Sequence, residues 1–167
     1  MKILFTAPRG AAEVSLVAGE TIKVIEDQKG NAILKIGLGK PDEADRRKLF
    51  SIARKVVKTA KEHKLSSLSV SFKDFQFSKT KDITDRELGR ILAENFLMAD
   101  YDFTRYKSPP KEGFPSVHTL HVTGATEEAK AGFAEGEIIA TEVNRCRDLA
   151  NTPGGDMTPS ILADAAK

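Results

Sequence analysis

An α/β fold built on a largely parallel central sheet is predicted for this 167-residue chain by three observations. Short apolar runs closed by glycine, proline or polar turns alternate with longer helical stretches, in the order strands, helix, strand, helix, strand, helix. Leu49, Ile52, Ala53, Val56, Val57 and Ala60 recur with the period of one helix face. The stretch "SSLSVSF" alternates instead with period two, Leu68, Val70 and Phe72 on one face and the serines on the other.

Each element has its own justification. "KILFTA" is a short apolar run closed by Pro8-Arg9-Gly10, as in a buried strand. "VSLVAG" and "AILKIGLG" are two further strands, separated by the turn-like "EDQKGN". At Pro41 the period changes to that of a helix: the proline suits the first turn, Asp42, Glu43 and Asp45 complement the positive end of the helix dipole, and Lys55, Lys58, Lys61 and Lys64 load its later turns. "TDRE" at Thr84–Glu87 has the form of a capping box and opens a second helix carrying Leu88, Ile91, Leu92, Phe96 and Ala99. That helix ends by way of "YDFTRYKSPP". "SVHTLHVTG" is a strand, and a cap at Thr126 with Glu127 and Glu128 starts a third helix that runs to about Ala150. Ile139, Val143 and Cys146 form its expected apolar stripe.

Bulk properties exclude several classes. A chain of this length buries roughly 70% of its unfolded surface, enough for one core without staples. The composition is 40% apolar and 30% charged, with Lys+Arg 26 against Asp+Glu 24 and a net charge of +2. That balance gives no general reason to expect nucleic acid, a membrane or a strongly charged substrate. Cys146 is the single cysteine, which rules out an intramolecular disulfide and fits a reducing compartment. Pro8 and Arg9 interrupt the N-terminal apolar run too early for a signal peptide, and nothing approaches a membrane span. A soluble, cytoplasmic protein is expected.

No catalytic, cofactor-binding or metal-binding residue is assigned from local chemistry. His118 and His121 stand three apart in a strand, where alternation sends them to opposite faces, and His63 lies at a basic helix end. "GLGK" at Gly37–Lys40 lacks the phosphate-loop pattern: Leu34 replaces the first glycine and Pro41 the Ser or Thr. Acidic residues follow the glycines both here and within "TGATEE" at Thr123–Glu128, so close strand-to-helix packing is the expected use of these glycines. The stretch "RKVVKTAKEHK" could hold phosphates, but its cations lie opposite the apolar face without interleaved aromatics, as on a solvated helix face. Cys146 is expected in the core rather than as a nucleophile.

Residues 144–160, "NRCRDLANTPGGDMTPS", stop one helix at Asn151-Thr152-Pro153 and start another at Thr158-Pro159. This stretch resembles the segment joining the two domains of the leucyl (cytosol) aminopeptidase family, a helix ending in Ala-Arg-x-Leu-x-Asn-x-Pro followed by Leu-Thr-Pro and a new helix. Arg147, Leu149, Asn151, Pro153, Thr158 and Pro159 hold those places, while Cys146 replaces the usual Ala and Met157 the usual Leu. "IGLGKPDEADRRKLF" and "LGRILAENFLMADYDFTRYKSP" resemble two further family stretches, in the same order along the chain.

The resemblance implies a macrodomain-like, three-layer α/β/α sandwich with a mixed, mostly parallel sheet over residues 1–150. Residues 151–167 would be the linker and first turns of an absent catalytic domain. It also implies a parent enzyme, hexameric, that releases N-terminal amino acids, often leucine, from peptides with two divalent metals (Zn or Mn). The family's ligands, a Lys, several Asp and a Glu, have no matching motif here, so none is carried over. The expected partners are the chain's own catalytic domain and sister subunits, and the parent's peptide substrates. A free-standing macro-like module binding a nucleotide or ADP-ribose is the alternative, and DNA binding through the lysine face a more distant one.

Overall fold

The computed structural model describes residues 1–6, 10–27 and 30–166. Its strands are β1 (Lys2–Leu4), β2 (Ala12–Val17), β3 (Ile22–Glu26), β4 (Ala32–Gly37), β5 (Ser67–Ser71) and β6 (Thr119–Thr123). Its helices are α1 (Arg46–Glu62), α2 (Asp85–Asp100), α3 (Glu127–Asn151) and α4 (Pro159–Ala165). The six strands form one sheet in the order β1-β6-β5-β2-β4-β3. Every neighbouring pair is parallel except β3–β4, which is antiparallel. The α/β class and the mixed, mostly parallel sheet are those expected.

Strand alternation divides the sheet into two chemically different faces. Ile3, Val14, Leu34, Ile36, Leu68, Val70, Leu120 and Val122 join α1, α2 and α3 in one buried cluster. The opposite positions of β5 and β6 carry Ser67, Ser69, Ser71, Thr119, His121 and Thr123. Phe72, Phe75, Phe96 and Phe133 are the largest fully buried side chains, each contributing about 1.5–3 kcal/mol on burial. Phe75 meets Phe96 edge to face at 5.8 Å, and Phe133 lies 6.4 Å from Phe72.

All six apolar positions expected to form the face of α1 are buried. Its start differs from the expectation. Pro41–Glu43 form a separate 3-10 turn, and the helix proper begins after Asp45, whose carboxylate accepts from the Lys48 amide at 2.8 Å. Thr84 caps α2 as expected, but the Glu87 carboxylate pairs with Arg46, tying α2 to α1. β3 falls between the strands expected from "VSLVAG" and "AILKIGLG", where no strand is expected. It is an edge strand with Ile22 exposed and Lys23 opposite Lys35, so its alternation is weak. Pro8 and Arg9, which were expected to close β1, and Gln28 and Lys29 of the expected turn lie outside the described residues. No helix is long and apolar enough to cross a membrane among the described residues.

The apolar stripe expected on α3 is a correction. Ala129, Gly132, Phe133, Gly136 and Ala140 are buried, whereas Ile139 and Val143 are each 38% exposed and Cys146 is exposed. The face turned to α2 is chosen by smallness. A Cβ on Gly89 would meet the Ala129 carbonyl oxygen at 2.2 Å, and one on Gly136 the Arg90 carbonyl oxygen at 2.5 Å. Two helices this close exclude the large residues from their seam.

Candidate functional site

The chemistry-bearing side chains gather where α3 ends against the end of α2, in the stretch that resembles an interdomain linker. Arg147 stacks its guanidinium over the Tyr101 ring at 4.2 Å. It also donates through Nη1 to the Met98 carbonyl at 3.0 Å and to Asn144 Oδ1 at 3.1 Å. The Tyr101 hydroxyl donates to Asp148 Oδ1 at 2.8 Å and accepts from Asn151 Nδ2 at 3.3 Å. Asn144 Nδ2 donates to the Leu97 carbonyl. Thr152, just past the helix, is buried; its hydroxyl returns to the Asp148 carbonyl at 2.7 Å and lies 3.4 Å from Arg105 Nη1.

These contacts satisfy orphan groups at two helix C-termini at once, which is why they accumulate here. Burial is the largest influence holding the Tyr101 phenol above its usual range, and the nearby Asp148 adds to it. Asp156, beyond the helix, raises the Tyr106 phenol by accepting its hydrogen bond. Asp100 anchors the base of the same region, accepting from the Val117 amide at 2.9 Å and from Ser116 Oγ at 3.1 Å. Lys61 Nζ spans the Asp100 carbonyl and Asp102 Oδ2 at 2.9 and 2.6 Å. Thr158 then caps α4, its hydroxyl 3.4 Å from the Ile161 amide.

The residues weighed from sequence do not assemble into a reaction centre. His63 is exposed just after α1, His118 is exposed before β6, and His121 Nδ1 lies 3.4 Å from Thr6 Oγ1. Gly39, at φ +76°, exchanges backbone hydrogen bonds of 2.7 Å with Gly19, so its amide is committed within the fold rather than offered to a phosphate. That turn joins the ends of β2 and β4, instead of packing a strand on a helix as expected. Lys55 Nζ donates to the Gly37 carbonyl at 3.0 Å and Lys64 pairs with Glu112, so part of the lysine-rich stretch is structural. Among the described residues no group of three or more His, Cys, Asp or Glu side chains could hold a metal ion. The Tyr101 partnership was missed in the sequence, because no local pattern shows that residues 46 positions apart in the chain, Tyr101 and Arg147, will stack.

Fold and junction together define an α/β domain whose last long helix is fastened at its exit. The model of the cytosol aminopeptidase family, N-terminal domain, matches residues 12–110. The chain belongs to that family. A probable cytosol aminopeptidase of Roseiflexus castenholzii is 31% identical over 81% of this chain, and one of Bdellovibrio bacteriovorus 31% identical over 80%. The chain spans 28% and 26% of the length of these two curated relatives. Among solved structures, a tomato leucine aminopeptidase mutant superposes with a TM-score of 0.73 at 14% identity, covering 97% of this chain and 40% of that one. The bottromycin maturation enzyme BotP gives 0.69 at 22% identity, covering 92% and 36%. These likenesses show the fold.

Proposed function

We propose that the chain is the non-catalytic N-terminal domain of a two-metal leucyl aminopeptidase, acting in the cytosol on the N-termini of peptides. Residues 1–150 form the domain, and residues 151–167 form the linker and the first turns of the catalytic domain. The role is architectural: it packs on its own catalytic domain, supports a hexamer with sister subunits and limits access of peptide substrates.

The observation that carries this reading is the family match, which falls on the N-terminal domain while the chain spans little more than a quarter of its relatives. The junction supports it. Arg147, Asp148, Asn151 and Thr152 fix the direction in which the chain leaves α3, as a linker to a second rigid body requires. In such enzymes two divalent ions (Zn or Mn) activate the attacking water and polarise the peptide carbonyl. Among the described residues of this chain, no group of His, Cys, Asp or Glu side chains fits that pair.

The test is hydrolysis of a leucine anilide with added Mn or Zn. The 167-residue chain is expected to give no turnover above the metal blank, and a longer product carrying the catalytic domain to turn over. Turnover by the 167-residue chain alone would refute the assignment.

A further inference from the structure

We propose that the groove between α1 and the C-terminal ends of α2 and α3 docks an acidic amphipathic helix of a partner polypeptide. The groove has a volume of about 710 Å³. One wall is α1, which supplies Arg47, Ser51, Arg54, Lys55 and Lys58. Their spacing places them in a single stripe roughly 16 Å long at the helical rise. Arg147 stands on the α3 side, and Phe50, Met98, Ala99 and Tyr101 give the groove an apolar lining. A contiguous hollow shares Arg54, Met98, Ala99 and Arg147 and adds Val143. One turn back on α3, Ile139 extends that exposed apolar strip.

The cations of this groove differ from many others on the surface in what they touch. Arg46, Lys61, Arg86 and Lys130 pair with Glu87, Asp102, Glu135 and Glu127. Among the described residues, no carboxylate lies in salt-bridge range of Arg47, Arg54, Lys55, Lys58 or Arg147. Arg54 Nε faces the Asn95 side-chain oxygen at 2.7 Å, and Lys55 and Arg147 face backbone carbonyls. Five cations that have no carboxylate partner among the described residues, set around one groove, make a positive potential that an acidic partner complements.

A peptide helix fits better than nucleic acid. Met98, Ala99, Val143 and Ile139 suit leucine-like side chains, and the Phe50 ring is partly buried against the core. Base stacking needs an open aromatic face. Tyr101 has its ring covered by Arg147 and its hydroxyl held by Asp148. The straight stripe on α1 matches carboxylates spaced one turn apart on a partner helix laid along it.

The test is fluorescence anisotropy of the 167-residue chain with a labelled peptide of about four helical turns, leucines on one face and glutamates on the other. Comparators are the same leucine pattern with lysines for glutamates, and a duplex oligonucleotide of equal charge. The expected result is saturable binding of the acidic peptide that weakens with salt. The double reversal Arg47→Glu with Lys58→Glu should weaken it by about tenfold or more, with circular dichroism and melting unchanged. Lys23→Glu, on the β3 edge, should leave it intact. Absence of acidic-peptide binding, equal binding of the lysine peptide, displacement by the oligonucleotide in preference to the peptide, or indifference to the double reversal would each overturn the proposal.

Discussion

Gly132 of α3 lies so close to Arg86 of α2 that a Cβ there would fall 1.9 Å from the Arg86 carbonyl oxygen. Neither backbone can yield without separating the two helices. In an open helix, glycine to alanine stabilises by roughly 0.5–1 kcal/mol. Here the sign reverses: Gly132→Ala should destabilise by about 1–3 kcal/mol, in the range of overpacked cores. Urea unfolding measures it, with Gly154→Ala as a control because a Cβ at that position meets nothing within 4 Å.

Arg147 holds the end of α3 by stacking on Tyr101 and by its bond to the Met98 carbonyl. Arg147→Ala should cost about 1 kcal/mol, with the loss concentrated in the last turn. Hydrogen exchange should quicken at residues 148–152 and stay unchanged in β5 and β6. Arg147→Lys should recover little, since an ammonium lacks the planar fork that both stacks and donates.

Cys146 is exposed on α3. It should therefore react stoichiometrically with a maleimide in the folded protein, without loss of the melting transition. Labelling that requires denaturant would restore the core position its sequence neighbours suggested.

Glu137 gives a pH signature. Partial burial holds its carboxyl above the usual range, against the opposing pull of the Ile3 amide and the N-terminal ammonium. A carboxyl whose folded pKa is raised adds stability that is fully present below the unfolded value of about 4.3 and is lost as pH rises through the folded value. Glu137→Gln should accordingly raise Tm relative to the parent at pH 7, with the difference vanishing near pH 4. A Tm lowered at pH 7 would mean that the Ile3 hydrogen bond outweighs desolvation.

Much of the architecture was legible in the sequence because periodicity is local. The six apolar positions of α1 and the alternation of β5 needed no tertiary information, and the caps at Thr84, Thr126 and Thr158 follow from one hydroxyl before a helical run. The errors arose where a distant partner decides. On α3 the large residues drew the prediction, yet the Ala129, Gly132, Gly136 and Ala140 spacing marks the buried seam, and only the closeness of α2 explains it. The strand β3 carries Lys23 on the sheet edge, and α1 starts from its Asp45 cap rather than with Pro41 in its first turn. The junction was visible as a motif, whereas its fastening to Tyr101 required the fold.

The size of the native product in source cells, read by immunoblot with an antibody raised to this chain, tests the central claim most directly. With α3 and its anchored exit leading into a catalytic domain as proposed, the band is expected far above the 18.2 kDa of these 167 residues. A single band at 18.2 kDa would contradict it and leave a free-standing α/β domain whose work is binding.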